Sequence, residues 1–410
     1  MIAGMTDDLD TSYAGALDHV LRRSHLMAPD EMGLLAAEGA AQLGATSTTI
    51  WLVDYEQQHL APLLAAGEPP REQLSVDGSA AGRAFRLVEA VEVDAGRRLW
   101  LPLLDGVERL GVLELGLPEP VDPRRLQALE QLAHLLAELL VSNFAFTDHY
   151  EWVRRQEAMV LAAEMQHTTL PPLTFGSDRV VISGLLAPAY EVGGDVFDYA
   201  INGGTAHVAV FDAVGHGLQA SLLSTLAVSC YRNCRRAGLD LADTACRIDE
   251  ALNEMFGGER FVTALIGQLD LDTGLFRWVN AGHPAAMLLR GAQVVKELEG
   301  EPALPLGLSS LAGGSGPAAF PVTTESLQPG DRILLLTDGV DEARTEDGAF
   351  FGRDRLADFV AREAATGLPT PEVMRRLQQA VLRHQVGQLQ DDATTLLVEW
   401  PAREPQRDLP

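Results

Sequence analysis

Four acidic positions in the second half of the sequence share one feature: each stands where an apolar, strand-like run meets small residues. The first follows two glycines, the second and third come directly after apolar runs, and the last is a pair just before the final apolar run. Strand ends are rigid, and glycine lets the backbone approach an ion closely. The positions are Asp195, Asp212, Asp338 and the pair Asp391 and Asp392.

A metal centre is the chemistry that these carboxylates favour. One Asp beside Gly is typical of a turn, but four such positions together ask for another explanation. Gathered carboxylates repel one another and stay ionised only if a cation lies among them. Hard divalent ions such as Mg²⁺ and Mn²⁺ take oxygen ligands, and two of them can activate a water and neutralise a phosphoryl group.

The elements around these positions predict a β-sandwich with helices outside. Two helices separate the first two strands from the rest, and a segment rich in Gly, Pro, Ser and Ala over 299–320 reads as a surface loop. The strands are expected over 180–186, 207–211, 264–270, 276–280, 286–289, 332–337 and 394–400, and the helices over 216–237, 241–256 and 371–386.

A smaller α+β domain is predicted earlier in the chain, over about 28–118. It follows a short leading helix at 8–28 and combines two helices with two pairs of strands. Its helices are expected at 30–44 and 78–88, and its strands at 48–53, 59–65, 100–104 and 110–117, the last two joined by a turn at Asp105 and Gly106.

A long helix is predicted between the two domains, over about 123–166. Asp122 can cap it with Pro123 at its first position, and apolar residues such as Leu129 and Leu136 recur near helical spacing. Such a helix either forms a coiled-coil dimer seam or packs against one of its neighbours. Pro171 and Pro172 end the helical region.

Composition limits the class of protein further. The chain has 410 residues and a formal net charge of −27, which opposes binding to nucleic acid and to anionic membrane surfaces. Three cysteines, Cys230, Cys234 and Cys246, make no disulfide framework and suggest a reducing compartment. The N-terminus is not a signal peptide and no apolar run is long enough to span a membrane, so we expect a cytoplasmic protein.

Five segments in order resemble the motifs of the PPM-type (protein phosphatase 2C-like) serine/threonine phosphatases, in their bacterial SpoIIE/RsbU-like branch. The resemblance covers about residues 160–400 and implies a β-sandwich flanked by helices. It also implies a two-metal centre that hydrolyses phosphoserine or phosphothreonine with a water activated by the ions. The segments are Glu191–Asp195, Phe211–Gly217, Asn280–Pro284, Thr337–Gly339 and Asp391–Thr394.

The resemblance also implies a role for each acidic position. Asp212 would bridge two Mn²⁺ or Mg²⁺ ions, and the side chain of Asp195 with the carbonyl of Ala213 would complete the shell of one ion. Asp338 and Asp391 would hold the other ion, with Asp392 as the alternative to Asp391. No arginine can be assigned as a phosphate clamp from the sequence.

Several other polar residues near the motifs have structural interpretations at least as good as catalytic ones. His216, between two glycines, could start a helix or act as a general acid, and His283 before Pro284 fits a turn or packing role. Asp198 and Glu191 are expected to cap or support the site, whereas Asp341 and Glu342 fit a solvated face.

The leading domain resembles a GAF domain and contains no cysteine, which excludes a thioether-linked chromophore there. It could bind a small ligand or only dimerise. The predicted organisation is an N-terminal helix at 1–27, a GAF-like sensory domain at 28–120, a helical linker at 121–168, the phosphatase domain at 169–402 and a tail at 403–410.

The resemblance makes an anti-sigma-factor antagonist, in a bacterial partner-switching pathway, the expected phosphoprotein substrate. The GAF-like domain would regulate the phosphatase, and a homodimer would form through the linker helix. Two alternatives stay open: a sensory binding protein with an inactive phosphatase fold, and a metal-dependent hydrolase of a small phosphoester.

Overall fold

The computed structural model divides the chain into two compact units, Met1–Glu157 and Ala158–Pro410. The boundary falls inside the region predicted as a linker. No helix in the described part of the chain is long and apolar enough to cross a membrane. The structure describes residues 14–64, 67–187, 190, 193–291, 293–309, 319–341, 343, 350–364, 366–384 and 392–402.

The first unit is built on one antiparallel sheet of six strands in the order β3-β2-β1-β6-β5-β4. Its strands are β1 (Ser47–Val53), β2 (His59–Leu63), β3 (Leu74–Ser75), β4 (Val91–Val93), β5 (Arg98–Asp105) and β6 (Glu108–Gly116). Its helices are α1 (14–24), α2 (Met32–Gln42), α3 (Ala80–Leu87), α4 (Pro123–Phe144) and α5 (His149–Arg154).

Both faces of this sheet are buried. Side chains alternate between the faces of a strand, so Ile50 and Leu52 join the cluster that α2 and α4 cover, whereas Trp51 and Val53 join the cluster around α3. The predicted α+β domain is therefore confirmed as an architecture. Its resemblance to a GAF domain stays a prediction.

The predicted continuous helix over 123–166 is wrong. Asp122 does cap α4, accepting from the backbone N–H groups of Arg124 and Arg125, but α4 ends at Phe144. A new helix, α5, then begins at His149, whose N–H donates to the Thr147 hydroxyl. This local side-chain contact competes with continuation of the helix.

The apolar stripe of α4 is covered inside its own unit. Leu129, Leu132 and Leu136 are fully buried in the same cluster as Leu101 and Leu113 of the sheet. Of the two roles predicted for the stripe, packing against a neighbour is therefore the one observed. The homodimer through this helix stays a prediction, since these three side chains already pack inside the unit.

The second unit contains two antiparallel sheets. One has the order β15-β12-β11-β10-β9 and the other the order β14-β13-β16-β17-β8-β7. Its strands are β7 (Thr174–Gly176), β8 (Val181–Ala187), β9 (Asp195–Asn202), β10 (Thr205–Ala213), β11 (Val262–Asp270), β12 (Leu275–Ala281), β13 (Ala286–Arg290), β14 (Gln293–Leu298), β15 (Thr323–Ser326), β16 (Asp331–Leu336) and β17 (Ala393–Glu399). Its helices are α6 (Leu161–Thr169), α7 (Leu218–Arg236), α8 (Leu241–Phe256), α9 (Asp338–Asp341), α10 (Arg353–Ala364) and α11 (Thr370–His384).

These elements form four layers, with the two sheets face to face in the middle. Phe197, Val208, Leu265 and Leu396 are among the residues that fill the core between the sheets. Helices α7 and α8 cover the outer face of the five-stranded sheet, and α10 and α11 cover that of the six-stranded sheet. The predicted sandwich flanked by helices is confirmed.

Candidate active site at one end of the sandwich

The facing sides of the two sheets change from apolar to polar at one end of the sandwich. Val208 and Val210 of β10 point into the core, and Asp212, two residues further on, lies on the same side because side chains alternate along a strand. The other strands make the same change, with polar residues two positions from core residues: Asp195 on β9, Thr263 on β11, Asn280 on β12, Thr337 after β16 and Thr394 on β17.

Asp195 and Asp212 are direct partners across the antiparallel pair of β9 and β10. Opposed residues have Cβ atoms about 4.5–5.5 Å apart, so the two carboxylates share one small volume. Asp195 is only 3% exposed and Asp212 is half-buried. Like charges this close raise the free energy of the ionised pair unless a cation offsets them.

The carboxylate of Asp195 is fixed from the opposite sheet. The Thr337 hydroxyl donates to Oδ2 of Asp195 at 2.5 Å. That hydroxyl also accepts from the backbone N–H of Thr394, and the backbone N–H of Thr337 donates to the Thr394 carbonyl. The ends of β16 and β17 therefore set the orientation of an acid carried by β9.

Asp392 holds the backbone of the Gly194–Asp195 segment. Its Oδ2 accepts from the N–H of Gly194 at 2.5 Å and from the N–H of Asp195 at 3.0 Å. Gln166 of α6 donates to the same oxygen at 3.4 Å and to the backbone carbonyl of Asp195 at 2.6 Å. Asp391, the other member of the acidic pair, lies outside the described residues.

A second polar network borders Asp212. The Thr263 hydroxyl lies 3.4 Å from Oδ2 of Asp212 and 2.8 Å from Nδ1 of His283. The side chain of Asn280 binds both the backbone N–H and the carbonyl of His283, which fixes the turn after β12.

Burial lowers the pKa of His283 to about 3. The charge of Arg353 lowers it too, whereas the backbone carbonyl of Leu336 opposes the shift. The ring is therefore neutral near neutral pH. These surroundings are those of a packed turn histidine that also adjoins the Asp212 network.

Glycines allow the two site loops to touch. A Cβ added at Gly194 would lie 3.1 Å from the carbonyl oxygen of Ala213, and one added at Gly193 would lie 2.5 Å from Oγ of Ser221. The Ala213 carbonyl thus faces the loop that leads into Asp195. Further along, Gly215 and Gly217 adopt φ values of +91° and +70°, which suit glycine, before α7 begins.

Asp338 is exposed at the first position of α9, directly after Thr337. A Cβ added at Gly339 would lie 1.9 Å from the carbonyl oxygen of Asp392, so the start of α9 is in close contact with the Asp392 segment. The structure therefore places Asp195, Asp212, Ala213, Asp338 and Asp392 at one end of the sandwich.

Within the described ranges, no group of three or more His, Cys, Asp and Glu side chains has the spacing of a metal cluster. The described candidates Asp195, Asp212, Asp338 and the Ala213 carbonyl would all supply oxygen donors. Oxygen-only donors fit hard ions such as Mg²⁺ and Mn²⁺ rather than softer metals.

The other polar residues considered from the sequence are not assigned to the metal centre. Asp198 is buried and paired with Arg232 and Arg235, each at 2.6 Å, so it ties β9 to α7. His216 is exposed in the loop before α7. Glu191 and Glu342 lie outside the described residues, as does the side chain of Asp341.

Sequence reasoning missed the supporting roles of three residues. Thr263 and Thr337 could have been found by counting in steps of two from the core residues of their strands. Gln166 gives no such signal, because it stands on a helix 29 residues before its partner Asp195.

The class of protein follows from a family comparison. Residues 202–401, which contain most of the sandwich, match the family model described as stage II sporulation protein E (SpoIIE). The matched residues lie in the second unit, which therefore contains a SpoIIE-type phosphatase domain.

Two relatives from Bacillus subtilis have names of this class. Phosphoserine phosphatase RsbU of Bacillus subtilis (strain 168) is 23% identical over 239 residues, 58% of this chain and 68% of RsbU. Phosphoserine phosphatase RsbP of the same organism is 25% identical over 186 residues, which are 44% of each chain. A solved structure of the RsbU and RsbW domains of a Mycobacterium tuberculosis protein shares 28% identity and a TM-score of 0.46, covering 55% of this chain and 62% of that one. The chain thus spans between about two fifths and two thirds of these proteins.

Proposed function

We propose that the protein is a metal-dependent phosphatase that removes phosphate from serine or threonine of a partner protein. One observation carries the proposal: Asp195 and Asp212 are direct cross-strand partners at the polar end of the sandwich. Two opposed carboxylates, one of them almost fully buried, are stable together when a cation lies between them.

The proposed centre would hold two divalent ions. Asp212 would contact both, Asp195 and the Ala213 carbonyl would complete the shell of one, and Asp338 with Asp391 would hold the other. When bound, such ions supply an activated water and neutralise the charge of the phosphoryl group.

The chain itself positions these ligands. Thr337 fixes the rotamer of Asp195, and Asp392 with Gln166 fixes the backbone that carries it. In this proposal Asp392 orients the loop through Oδ2, which accepts from two backbone N–H groups, and Asp391, with Asp392 as its alternative, is the ligand.

The proposed substrate is a phosphorylated anti-sigma-factor antagonist. The relatives RsbU and RsbP are named phosphoserine phosphatases, which supports a phosphoserine protein as substrate. The pathway rests on the family resemblance of the motifs.

We further propose that the first unit regulates the phosphatase through α6. This helix is the first element of the second unit, and it contacts the site through Gln166 and through the Ala162 carbonyl, which accepts from Ser221 of α7. A displacement of α6 would remove a hydrogen bond from the backbone of Asp195.

The test is phosphate release from an aryl phosphate and from a phosphoserine protein, with Mn²⁺, with Mg²⁺ and with excess chelator. We expect turnover with metal and none with chelator. Absence of turnover on both substrates with either ion, or full turnover in chelator after dialysis, would overturn the proposal. Comparing the full chain with a fragment starting at Ala158 tests regulation, since equal turnover would show that the first unit has no effect.

A further inference from the structure

An arginine lies beside the loop that follows Asp212. Arg260 stands two residues before β11, and the carbonyl of the next residue, Phe261, accepts from the N–H of Val214 at 3.1 Å. This bond extends the pairing of β10 and β11 beyond Asp212, whose partner on β11 is Thr263. Arg260 is therefore attached to the same end of the sandwich as the two facing aspartates.

The guanidinium lies over the first turn of α7. Its Nη2 donates to Oε1 of Gln219 at 2.8 Å, and a Cβ added at Gly215 would lie 3.9 Å from Nη1. The side chain is half-buried. Gln219 thus holds the charge beside the glycine loop that connects Asp212 with α7.

The hydrogen-bond partner of Arg260 is a neutral amide, whereas two arginines of α7 are paired with a carboxylate. Arg232 and Arg235 are both bound to the carboxylate of Asp198. Arg260, by contrast, forms no ion pair with any carboxylate in the described part of the second unit, and its hydrogen bond is to an amide. Its positive charge is therefore still able to bind an anion.

A phosphate monoester approaching this site needs such a charge. It carries up to two negative charges, and the chain around it has a formal net charge of −27. A guanidinium offers several N–H donors in a planar arrangement that matches phosphate oxygens, and its hydrogen bonds to charged groups are stronger than neutral ones.

We propose that Arg260 is a substrate-binding residue that donates to the phosphoryl oxygens of the substrate, with Gln219 holding its guanidinium in place. The inference rests on the proposed phosphatase function. It adds a positively charged side chain for phosphate binding, which the sequence motifs alone did not reveal. The ligand chemistry is a phosphate monoester dianion, and inorganic phosphate is the corresponding product.

The test compares Arg260→Gln with Arg236→Gln in the full chain. Arg236 is exposed at the far end of α7, about 27 Å from its start for 19 residues, and its substitution makes the same change in net charge. We expect Arg260→Gln to lower kcat/KM about 10- to 100-fold on both an aryl phosphate and a phosphoserine protein. Arg236→Gln should stay within twofold of wild type, and Arg260→Lys should recover part of the loss.

Binding is measured separately from turnover. Calorimetric titration of the Mn²⁺-loaded protein with inorganic phosphate should give a Kd raised about tenfold or more by Arg260→Gln. The Mn²⁺ affinity should be unchanged. Gln219→Glu, which places a carboxylate against the guanidinium, should weaken phosphate binding in the same direction.

Each alternative outcome is informative. Equal phosphate affinity in Arg260→Gln and Arg236→Gln overturns the inference. A loss of kcat/KM on the phosphoprotein but not on the aryl phosphate also overturns it, because Arg260 would then contact the surface of the substrate protein rather than its phosphate. If wild type binds phosphate through Arg260 but turns over no phosphoester, the proposed function fails, and only the binding of a phosphate anion by Arg260 is retained. If Arg260→Gln leaves turnover unchanged, the inference is wrong and the proposed function is unaffected.

Discussion

The hydroxyl of Thr337, which follows β16 of one sheet, donates to the carboxylate of Asp195 on β9 of the other sheet at 2.5 Å. The two residues are 142 positions apart in the chain. This bond joins the sheets at the polar end of the sandwich and fixes the more buried of the two facing acids.

Thr337→Val should lower both activity and stability. Valine keeps the shape of the side chain but leaves Asp195 and the N–H of Thr394 without this partner, at a cost of about 1–3 kcal/mol in the free energy of unfolding. Urea denaturation and kcat/KM with Mn²⁺ measure the two effects, and we expect kcat/KM to fall at least about tenfold. Thr337→Ser, which keeps the hydroxyl, is the control. Identical kinetics for the valine and serine variants would show that the bond does not position Asp195.

Asp212→Asn should abolish turnover while the protein stays folded. An amide supplies neither the charge nor the bridging capacity of a carboxylate between two cations. Because the substitution also relieves repulsion with Asp195, the Tm of the metal-free protein should not fall. Asp178→Asn, at an exposed position of the same unit, should leave both quantities unchanged. Wild-type turnover with intact Mn²⁺ binding in Asp212→Asn would remove this residue from the centre.

The stability of the second unit should depend on pH through His283. Its folded pKa of about 3 lies below the ordinary histidine pKa of 6.5, so below pH 6.5 the unfolded chain binds a proton that the folded chain does not. The stabilisation is therefore complete above pH 6.5 and is lost as pH falls toward 3, at up to about 1.4 kcal/mol per pH unit.

The measurement compares urea unfolding of wild type and His283→Gln at pH 6.5 and pH 5.0. Between these pH values wild type should lose about 1.6 kcal/mol more than the variant, because glutamine does not titrate. Parallel pH profiles for wild type and His283→Gln would contradict the pKa shift.

Leu136→Glu should unfold the first unit. Leu136 is completely buried beneath the sheet, and a carboxylate there would be buried without a partner, at a cost of several kcal/mol. Val141→Glu on the same helix is the control, since Val141 is 38% exposed. Thermal unfolding by circular dichroism distinguishes them. A fully folded Leu136→Glu chain with altered mass by light scattering would instead place Leu136 in a dimer seam.

The sequence by itself determined the positions of the acids and the type of fold. Asp212 could be placed near the end of a strand because an apolar run stops there beside glycine, and α8 was predicted with the bounds that the structure gives, Leu241–Phe256. These features are local: strand alternation, helix caps and turn residues act over a few positions. Asp195, in contrast, is the first residue of β9, a strand that the sequence did not predict.

Only the tertiary structure decided which groups hold those acids. The bonds of Asp392 to Gly194 and Asp195 span 198 and 197 positions, and no periodicity in the sequence carries information over such a separation. The same limit explains α4: an apolar stripe shows that a helix must be covered, but the sheet beneath Leu136, rather than a second chain, covers it. Arg260 likewise became a candidate only when folding brought it to Gln219, 41 positions away, because charge alone does not show which arginines have a carboxylate partner.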